Sequence, residues 1–256
     1  MRRIYRTLVD GSPRLVVEED GRPRLVEGDL FGAWRAGAET SLDGSTLLPP
    51  VMPTKIVAVG LNYRDHAAER NKPLPAEPMI FLKPSTAVIG PGAAIVIPPG
   101  VGQVDHEAEL GVVIGRRATR VPRANAAAHV LGVTAVNDVT ARAMQDRGIQ
   151  YSHCKGFDTF APLGPAIALD LDTSHLRVEG IVNGRVRQSS TTRELIFTVA
   201  DLVEFISRVM TLLPGDVIAT GTPAGIGPLE PGDTVTVRVE HVGELTNPVT
   251  AAQGAP

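Results

Sequence analysis

The sequence has little of what would place it in several common classes of protein. It contains one cysteine, Cys154, in 256 residues, which excludes a disulfide framework and a cysteine-rich zinc site. No apolar run reaches the roughly 18 residues that a membrane-spanning helix needs. After the basic residues 1–6, the residues Asp10, Gly11 and Pro13 interrupt any signal-peptide core. We therefore expect a cytoplasmic protein that has no membrane partner.

The sequence also lacks a surplus of charge of either sign. It has 25 basic and 28 acidic side chains, and its formal net charge is −3. Binding to nucleic acid requires a clustered basic surplus, so we expect no nucleic-acid partner. Lysine is especially scarce, and the four lysines are Lys55, Lys72, Lys83 and Lys155. Each of them either survives by chance or occupies a position that requires a compact ammonium group.

Length and composition favour one β-rich fold with few helices. A chain of this length forms one large domain, or one domain with a small appendage. The 26 glycines and 21 prolines suit many short strands and turns. We predict a mixed β-rich α+β fold with a small N-terminal β domain over residues 1–52 and a larger domain over 53–256. Its main predicted elements are strands over 55–60, 107–115 and 130–138 and helices over 63–70, 122–129, 140–147 and 198–210.

Three acidic residues suggest a site for a divalent cation. Glu107 and Glu109 are two apart in a predicted strand, so their side chains point to the same face. Two such carboxylates repel by about 4 kcal/mol at ~4 Å and an effective dielectric constant near 20. Either one is protonated, both face water at a solvated edge, or a cation lies between them. Asp138 ends another apolar strand and either caps a helix or completes an all-oxygen set suited to Mg²⁺ or Mn²⁺.

A histidine and a glutamate form a second candidate group. His66 and Glu69 are neighbours at i and i+3 if their segment is helical. A carboxylate that binds one imidazole nitrogen fixes the tautomer and makes the other nitrogen more basic, as a general base requires. A surface pair is the simpler alternative. The zinc-protease pattern is excluded because Arg70 stands where a second histidine would be needed. Three prolines interrupt residues 71–78, which suggests a lid over the site.

Two further features could bind an anion. The glycine-rich residues 220–227 follow a strand, and their hydroxyl and amide groups could hold a carboxylate, although an ordinary turn is the alternative. Lys83 and Lys155 stand at strand-like, partly buried positions, where an ammonium group could contact an acidic ligand. Cys154 carries no sign of a nucleophile, and we interpret it as a small core residue.

Taken together, these segments resemble the fumarylacetoacetate hydrolase family. The similarity spans residues 55 to 249, most of the chain. Any one of the motifs is weak by itself, whereas six in the same order are a specific signal. The matching segments are residues 59–63 with His66-x-x-Glu69, and residues 81–85, 107–110, 138–142, 155–158 and 220–227.

The resemblance implies a β-sandwich-like roll with a few peripheral helices, usually a homodimer, that holds Mg²⁺ or Mn²⁺. It assigns the metal to Glu107, Glu109 and Asp138. It also assigns His66 and Glu69 to a catalytic dyad on a lid, with Lys155 beside the metal. The substrate contacts that we expect are Arg142, Gln145, Thr222 and Lys83. Larger relatives supply a fourth metal carboxylate from an N-terminal stretch, which has no counterpart here.

The resemblance further implies a small-molecule substrate of the 2-oxo acid class. Our first prediction is the hydrolysis of acylpyruvate-like 2,4-dioxo acids, in which a C–C bond breaks to leave an enolate, together with decarboxylation of oxaloacetate. The alternative is the isomerisation or decarboxylation of 2-hydroxyhepta-2,4-diene-1,7-dioate in the catabolism of aromatic compounds. A non-catalytic metal- or ligand-binding module on the same fold is the alternative of another class.

Overall fold

Strands make up most of the regular structure in the computed structural model, which describes residues 1–148 and 150–252. The β-rich α+β class predicted from the sequence is confirmed. The strands are β1 Arg2–Val9, β2 Ser12–Glu19, β3 Arg22–Gly28, β4 Trp34–Glu39, β5 Leu47–Leu48, β6 Ile56–Gly60, β7 Met79–Lys83, β8 Val88–Ile89, β9 Ile95–Ile97, β10 Val104–His106, β11 Ala108–Ile114, β12 Val130–Asn137, β13 Thr140–Ala141, β14 Ala161–Ala168, β15 Arg177–Val182, β16 Arg185–Thr191, β17 Val217–Ala219, β18 Gly227–Pro228, β19 Thr234–Val239 and β20 Gly243–Ala251.

The largest sheet carries the elements on which the candidate site is built. Its strand order is β4-β3-β2-β1-β14-β12-β11-β17-β6-β7, with β5 paired to β1 and β8 paired to β14. Every residue of β11 and β14 is buried. Continuous apolar runs rather than alternating ones are typical of strands that are covered on both faces. A five-stranded sheet in the order β16-β15-β19-β20-β9 and a small sheet of β13, β10 and β18 complete the described part.

The N-terminal strands extend the large sheet. β1 pairs antiparallel with β14, and Ile4 lies opposite Ile167 in that register. Ile4 and Val17 also share one buried cluster with Val113 and Leu163. The core therefore continues across residue 52, and the domain boundary that we placed there stays a prediction.

Helices are few and short in the described residues. They are α1 Arg64–Glu69, α2 Arg142–Gln145, α3 Tyr151–Lys155 and α4 Val199–Val209, with 3₁₀ turns at Ser85–Ala87, Arg123–His129 and Thr192–Glu194. Helix α4 begins with a capping box between Thr198 and Asp201, as expected for threonine before an amphipathic helix. No helix in the described residues is long and apolar enough to cross a membrane.

Two predicted helices differ from the structure. The segment over 122–129 is a 3₁₀ helix that begins after Pro122. The helix predicted over 140–147 is reduced to α2, because Thr140 and Ala141 pair with β10 instead. Their backbone groups are used by the small sheet and cannot form the first turn of a helix.

The junction between β10 and β11 brings the acidic residues of two strands together. The Glu107 backbone N–H donates to Asn137 Oδ1 at 3.0 Å. The Asp138 backbone N–H donates to the Glu107 carbonyl at 2.9 Å. In the ladder between β11 and β12, Ala108 lies opposite Asn137. The carboxylates that flank these two residues therefore meet at one end of the ladder.

Candidate active site

Three buried carboxylates converge at this end of the sheet. Glu107, Glu109 and Asp138 each offer an oxygen, and these oxygens lie within 4.8 Å of one another. Glu107 is 5% exposed, and the other two are 1% exposed. The spacing of two residues along the chain does direct Glu107 and Glu109 to one place, as the strand geometry predicts.

Two cations neutralise Glu107. The Lys155 ammonium donates to Glu107 Oε2 at 2.7 Å, and the Arg142 guanidinium donates to Oε1 through Nη2. Burial by itself raises the pKa of Glu107, but the charges and hydrogen bonds of Lys155 and Arg142 outweigh it and hold that pKa below its ordinary value. Glu107 is therefore ionised at neutral pH.

Glu109 has no such compensation. Its Oε2 accepts a hydrogen bond from the Gly221 backbone N–H at 2.8 Å. Within residues 1–148 and 150–252, no cationic side chain forms an ion pair with it. Burial, followed by the neighbouring charges of Asp138 and Glu107, raises its pKa well above the ordinary value. The cluster thus lacks positive charge at its Glu109 end, and an all-oxygen set with this deficit fits a hard divalent cation such as Mg²⁺ or Mn²⁺.

Lys155 lies among the acids with all three of its protons used. Its Nζ donates to Glu107 Oε2 at 2.7 Å, to Asp138 Oδ2 at 2.6 Å and to Thr140 Oγ1 at 2.7 Å. Burial tends to lower the pKa of Lys155, but Asp138 and Glu107 raise it above its ordinary value. This ammonium is a permanent positive charge beside the carboxylates.

Lys83 does not lie at the position of a substrate contact. It is fully buried, and its ammonium donates to Asp138 Oδ1 and, at 3.2 Å, to the Val139 carbonyl. It is not among the residues that line the cavity described below. Burial lowers its pKa, and Asp138 opposes that effect. The substrate contact that we expected from the sequence does not fit this position, because the Lys83 ammonium is buried against Asp138 and does not line the cavity.

The predicted dyad is formed on helix α1. His66 Nδ1 lies 2.8 Å from Glu69 Oε2, and the Gly225 backbone N–H donates to the other oxygen of Glu69 at 2.9 Å. A proton on Nδ1 satisfies this contact with the carboxylate and leaves Nε2 as an acceptor. Ser190 Oγ donates to Asp65 Oδ2 at 2.7 Å, which ties the beginning of the helix to β16.

The residues that the family motifs predict as substrate contacts, apart from Lys83, lie near the acids. Arg142 donates through Nε to Asp105 Oδ2 at 2.8 Å and through Nη1 to Gln145 Oε1. The Thr222 hydroxyl donates to the Ala108 carbonyl at 3.0 Å and accepts from Gln188 Nε2 at 2.7 Å. Because its only proton is used, Thr222 has one remaining lone pair and must exchange its bond to Ala108 before it can donate to a ligand.

The sequence analysis did not predict Gln188, whose side chain connects several residues of the site by hydrogen bonds. Its Oε1 accepts from the Ala108 N–H at 2.9 Å and contacts His106 Nδ1 at 3.0 Å. Its Nε2 donates to Thr222 and, at 2.8 Å, to the Pro223 carbonyl. The residue stands in a polar hairpin strand, where no periodicity marks it as buried. Asp105 was also missed, although its place two residues before Glu107 could have suggested it.

A cavity of about 280 Å³ connects these groups to solvent. Eight of the ten predicted site residues line it. The other two, Glu69 and Lys83, do not line it; Glu69 contacts His66, and Lys83 contacts Asp138. The eight are His66, Glu107, Glu109, Asp138, Arg142, Gln145, Lys155 and Thr222.

Comparison with known proteins identifies the family. A family model described as fumarylacetoacetate (FAA) hydrolase, C-terminal, matches residues 55–250. This chain belongs to that family. The mitochondrial oxaloacetate tautomerase FAHD2A of Bos taurus is 43% identical over 215 residues, which cover 79% of this chain and 68% of that protein.

Solved structures of family members share the whole fold. The 2-hydroxyhepta-2,4-diene-1,7-dioate isomerase of Mycobacterium marinum is 40% identical with a TM-score of 0.92, and the match covers 99% of this chain and 100% of that one. The maleylpyruvate hydrolase of Sphingobium sp. SYK-6, in complex with manganese(II) and pyruvate, is 28% identical with a TM-score of 0.81. That match covers 98% of this chain and 100% of the other. The protein is thus a family enzyme with the family fold that the sequence predicted.

Proposed function

We propose that this protein is a Mg²⁺- or Mn²⁺-dependent enzyme that forms the enolate of a bound 2-oxo acid. One observation carries this proposal: three buried carboxylates converge, and Lys155 is fixed as a cation against Glu107 and Asp138 while Glu109 has no ion pair among the described residues. The manganese ion and pyruvate in the maleylpyruvate hydrolase structure support the same assignment.

The chain would divide the chemistry between two groups of residues. Glu107, Glu109 and Asp138 would hold the ion, whose Lewis acidity stabilises negative charge that develops on the 2-oxo oxygen. Lys155 places a second positive charge close to that oxygen without reorganising when the charge forms. Arg142 and Thr222 would orient the carboxylate of the substrate, Thr222 after exchanging its bond to Ala108.

His66 is the proposed proton-transfer group. Glu69 holds its Nδ1, so Nε2 is directed away from the dyad and can take a proton from carbon 3 of the substrate or return one to it. Glu69 itself is fixed by the Gly225 backbone. The imidazole therefore keeps one orientation through the proton transfer.

Isomerisation or tautomerisation is the outcome that these residues support best. It requires only the removal of a proton and its return to another atom, for which His66 suffices as the proton-transfer group. The relatives named as a tautomerase and an isomerase are 43% and 40% identical to this chain. Hydrolysis of acylpyruvates, our first prediction from the sequence, is the second candidate. In that reaction His66 Nε2 would activate a water that attacks the remote carbonyl, and the C–C bond would break to leave pyruvate enolate.

A substrate panel tests the proposal. Enol oxaloacetate, a 2-hydroxydienedioate and an acylpyruvate would each be assayed with Mg²⁺, with Mn²⁺ and with a chelator. We expect turnover of at least one of them with metal and its loss with chelator. Turnover that the chelator leaves unchanged, or binding of every acid without turnover, would refute the proposal, and the second result would favour a binding module.

The variant Glu69→Ala tests the dyad in the same panel. We expect kcat to fall by about 10- to 100-fold, because His66 loses the group that orients it, while KM and the affinity for Mn²⁺ change little. An unchanged kcat for every acid would remove the dyad from the mechanism.

A homodimer remains our proposal for the assembly, and light scattering would test it.

A further inference from the structure

Two cations line the mouth of the cavity, apart from the cations at its floor. Arg70 and Lys72 belong to the same cavity as the three carboxylates. Both are exposed, whereas Glu107 and Lys155 are buried. The cavity therefore has a buried floor that carries the acids and an exposed mouth that carries positive charge.

The C-terminal turn of helix α1 fixes this pair. The Asn71 N–H donates to the Ala68 carbonyl at 3.0 Å, and the Lys72 N–H donates to the Ala67 carbonyl at 2.9 Å. Asn71 has a φ of 49°. These are the two hydrogen bonds and the left-handed residue of a Schellman cap. The backbone of Arg70 and Lys72 is thus held rigidly to the helix that carries His66.

The floor cations are already paired with carboxylates of the protein, whereas the mouth cations have little or no such pairing. All three protons of Lys155 already have acceptors, and Arg142 is paired with Asp105 and Glu107. Arg70 lies 3.6 Å from Asp146, with side chains 41% and 58% exposed, a pairing that contributes little. Among the ion pairs of the described residues, none involves Lys72.

An apolar wall adjoins the mouth. A Cβ added to Gly60 would lie 2.3 Å from Met79 Cε and 3.4 Å from the Tyr151 ring, so these two side chains pack directly over the glycine. All three residues line the cavity. The cavity therefore combines three kinds of lining: buried acids with their cation, apolar surface, and exposed positive charge.

We propose that Arg70 and Lys72 bind a second carboxylate at the far end of the substrate. This inference rests on the proposed function and specifies its substrate class: 2-oxo acids, or their enols, that carry a terminal carboxylate. A 2-oxo acid that ends in a methyl group would offer neither mouth cation a carboxylate. The enzyme would therefore discriminate between acids that end in a carboxylate and acids that end in a methyl group. The cationic site that does so follows the helix that carries the proton-transfer residue.

Two five-carbon acids that differ only at the far end provide the test. 2-Oxopentanedioate ends in a carboxylate and 2-oxopentanoate ends in a methyl group. Binding of each acid to the Mn²⁺-loaded protein would be measured by calorimetry. The proteins compared are the wild type, the double variant R70M/K72M, and R14M, which removes an exposed arginine of β2 that does not line the cavity.

We expect the wild type and R14M to bind the diacid at least 10-fold more tightly than the monoacid. In R70M/K72M the affinity for the diacid should fall by about 10-fold, since two partly exposed charge-assisted contacts are lost, and the affinity for the monoacid should stay within 2-fold. Equal losses for both acids would overturn the inference, because they indicate a general effect of charge on binding. An unchanged affinity for the diacid would overturn it as well.

A second readout separates this inference from the proposed function. Exchange of the carbon-3 protons with deuterium oxide, followed by NMR, reports enolisation of the same two acids. A preference for the diacid in binding, without exchange of either acid, would support the mouth site and refute the catalytic proposal. Exchange without a preference for the diacid would support the catalytic proposal and refute the mouth site. Binding of neither acid would overturn both.

Discussion

Replacement of Glu109 by glutamine should stabilise the metal-free protein and abolish its metal site. Glu109 is buried beside two other carboxylates and has no ion pair among the described residues. Glutamine has the same shape, and its Oε1 can still accept the hydrogen bond that Gly221 donates to Glu109. The substitution therefore removes a repulsive charge and retains the contact that holds the side chain.

The magnitude follows from the spacing of the acids. Their oxygens lie within 4.8 Å of one another, a distance at which two unit charges repel by about 3 kcal/mol when the effective dielectric constant is 20. Lys155, which contacts both Glu107 and Asp138, offsets much of this repulsion. We therefore expect Glu109→Gln to raise the free energy of unfolding by about 1–2 kcal/mol at pH 8. For a chain of this size, that corresponds to a rise in Tm of about 2–8 °C.

The dependence on pH gives the sign of the effect. The folded state raises the pKa of Glu109 above its unfolded value of about 4.3. The protonated side chain therefore contributes its full stability below that unfolded value, and this stability is lost as the pH rises through the folded pKa. Metal-free wild type should lose the Glu109 contribution as the pH rises from the unfolded value through the raised folded pKa. Glu109→Gln should lack this decline, and saturating Mn²⁺ should suppress it in the wild type.

Glu107→Gln is the matched control, because it alters a neighbouring acid in the opposite electrostatic setting. Glu107 is paired with Lys155 and Arg142, so its neutralisation removes one of the two carboxylates that each of these buried cations contacts, at a cost of up to about 3–5 kcal/mol. Thermal melts in chelator and in Mn²⁺ from pH 5 to 8, with Mn²⁺ titrations, would compare the two variants. The reasoning fails if Glu109→Gln melts below the wild type in chelator at pH 8, or binds Mn²⁺ as the wild type does.

Two further substitutions probe the residues behind the site. Lys83→Met should weaken Mn²⁺ binding by about 10- to 100-fold, because Asp138 loses a buried partner, and an unchanged Mn²⁺ titration would contradict this role. Gln188→Leu should lower the free energy of unfolding by about 2–4 kcal/mol, since it leaves the Ala108 N–H and His106 without their acceptor. A change of 2 °C in Tm corresponds to roughly 1 kcal/mol for a chain of this size. A Tm within 2 °C of the wild type would therefore show that this network contributes little to the free energy of unfolding.

Local spacing predicted two pairs of site residues, whereas the family resemblance supplied Lys155, Arg142, Gln145 and Thr222. Glu107 and Glu109 converge because a strand repeats every two residues, and His66 meets Glu69 because a helix places i and i+3 on one face. Gln188 was missed because its partners are more than 30 residues away in the chain, as in its contact with Thr222. Such contacts depend on how the sheets stack, which no local pattern reveals.

The helix predicted over 140–147 failed for a related reason. The local pattern favoured helix, but Thr140 and Ala141 complete an edge of the small sheet with β10. That pairing places Thr140 Oγ1 2.7 Å from the Lys155 ammonium. A tertiary contact thus overrides the local preference at the point where the chain enters the site.

The scarcity of lysine was also a guide to the site. Lys155 directs three protons to three separate oxygens at 2.6–2.7 Å, which a tetrahedral ammonium can do and a planar guanidinium cannot do in the same space. Lys83 contacts Asp138 from its other side, so two of the four lysines meet at one carboxylate. Lys55 pairs with the buried Asp216 away from the cavity, and the remaining lysine lies at the cavity mouth. Lys155 and Lys83 therefore stand where a compact charge contacts buried acids, and three of the four lysines either line the cavity or contact an acid that lines it.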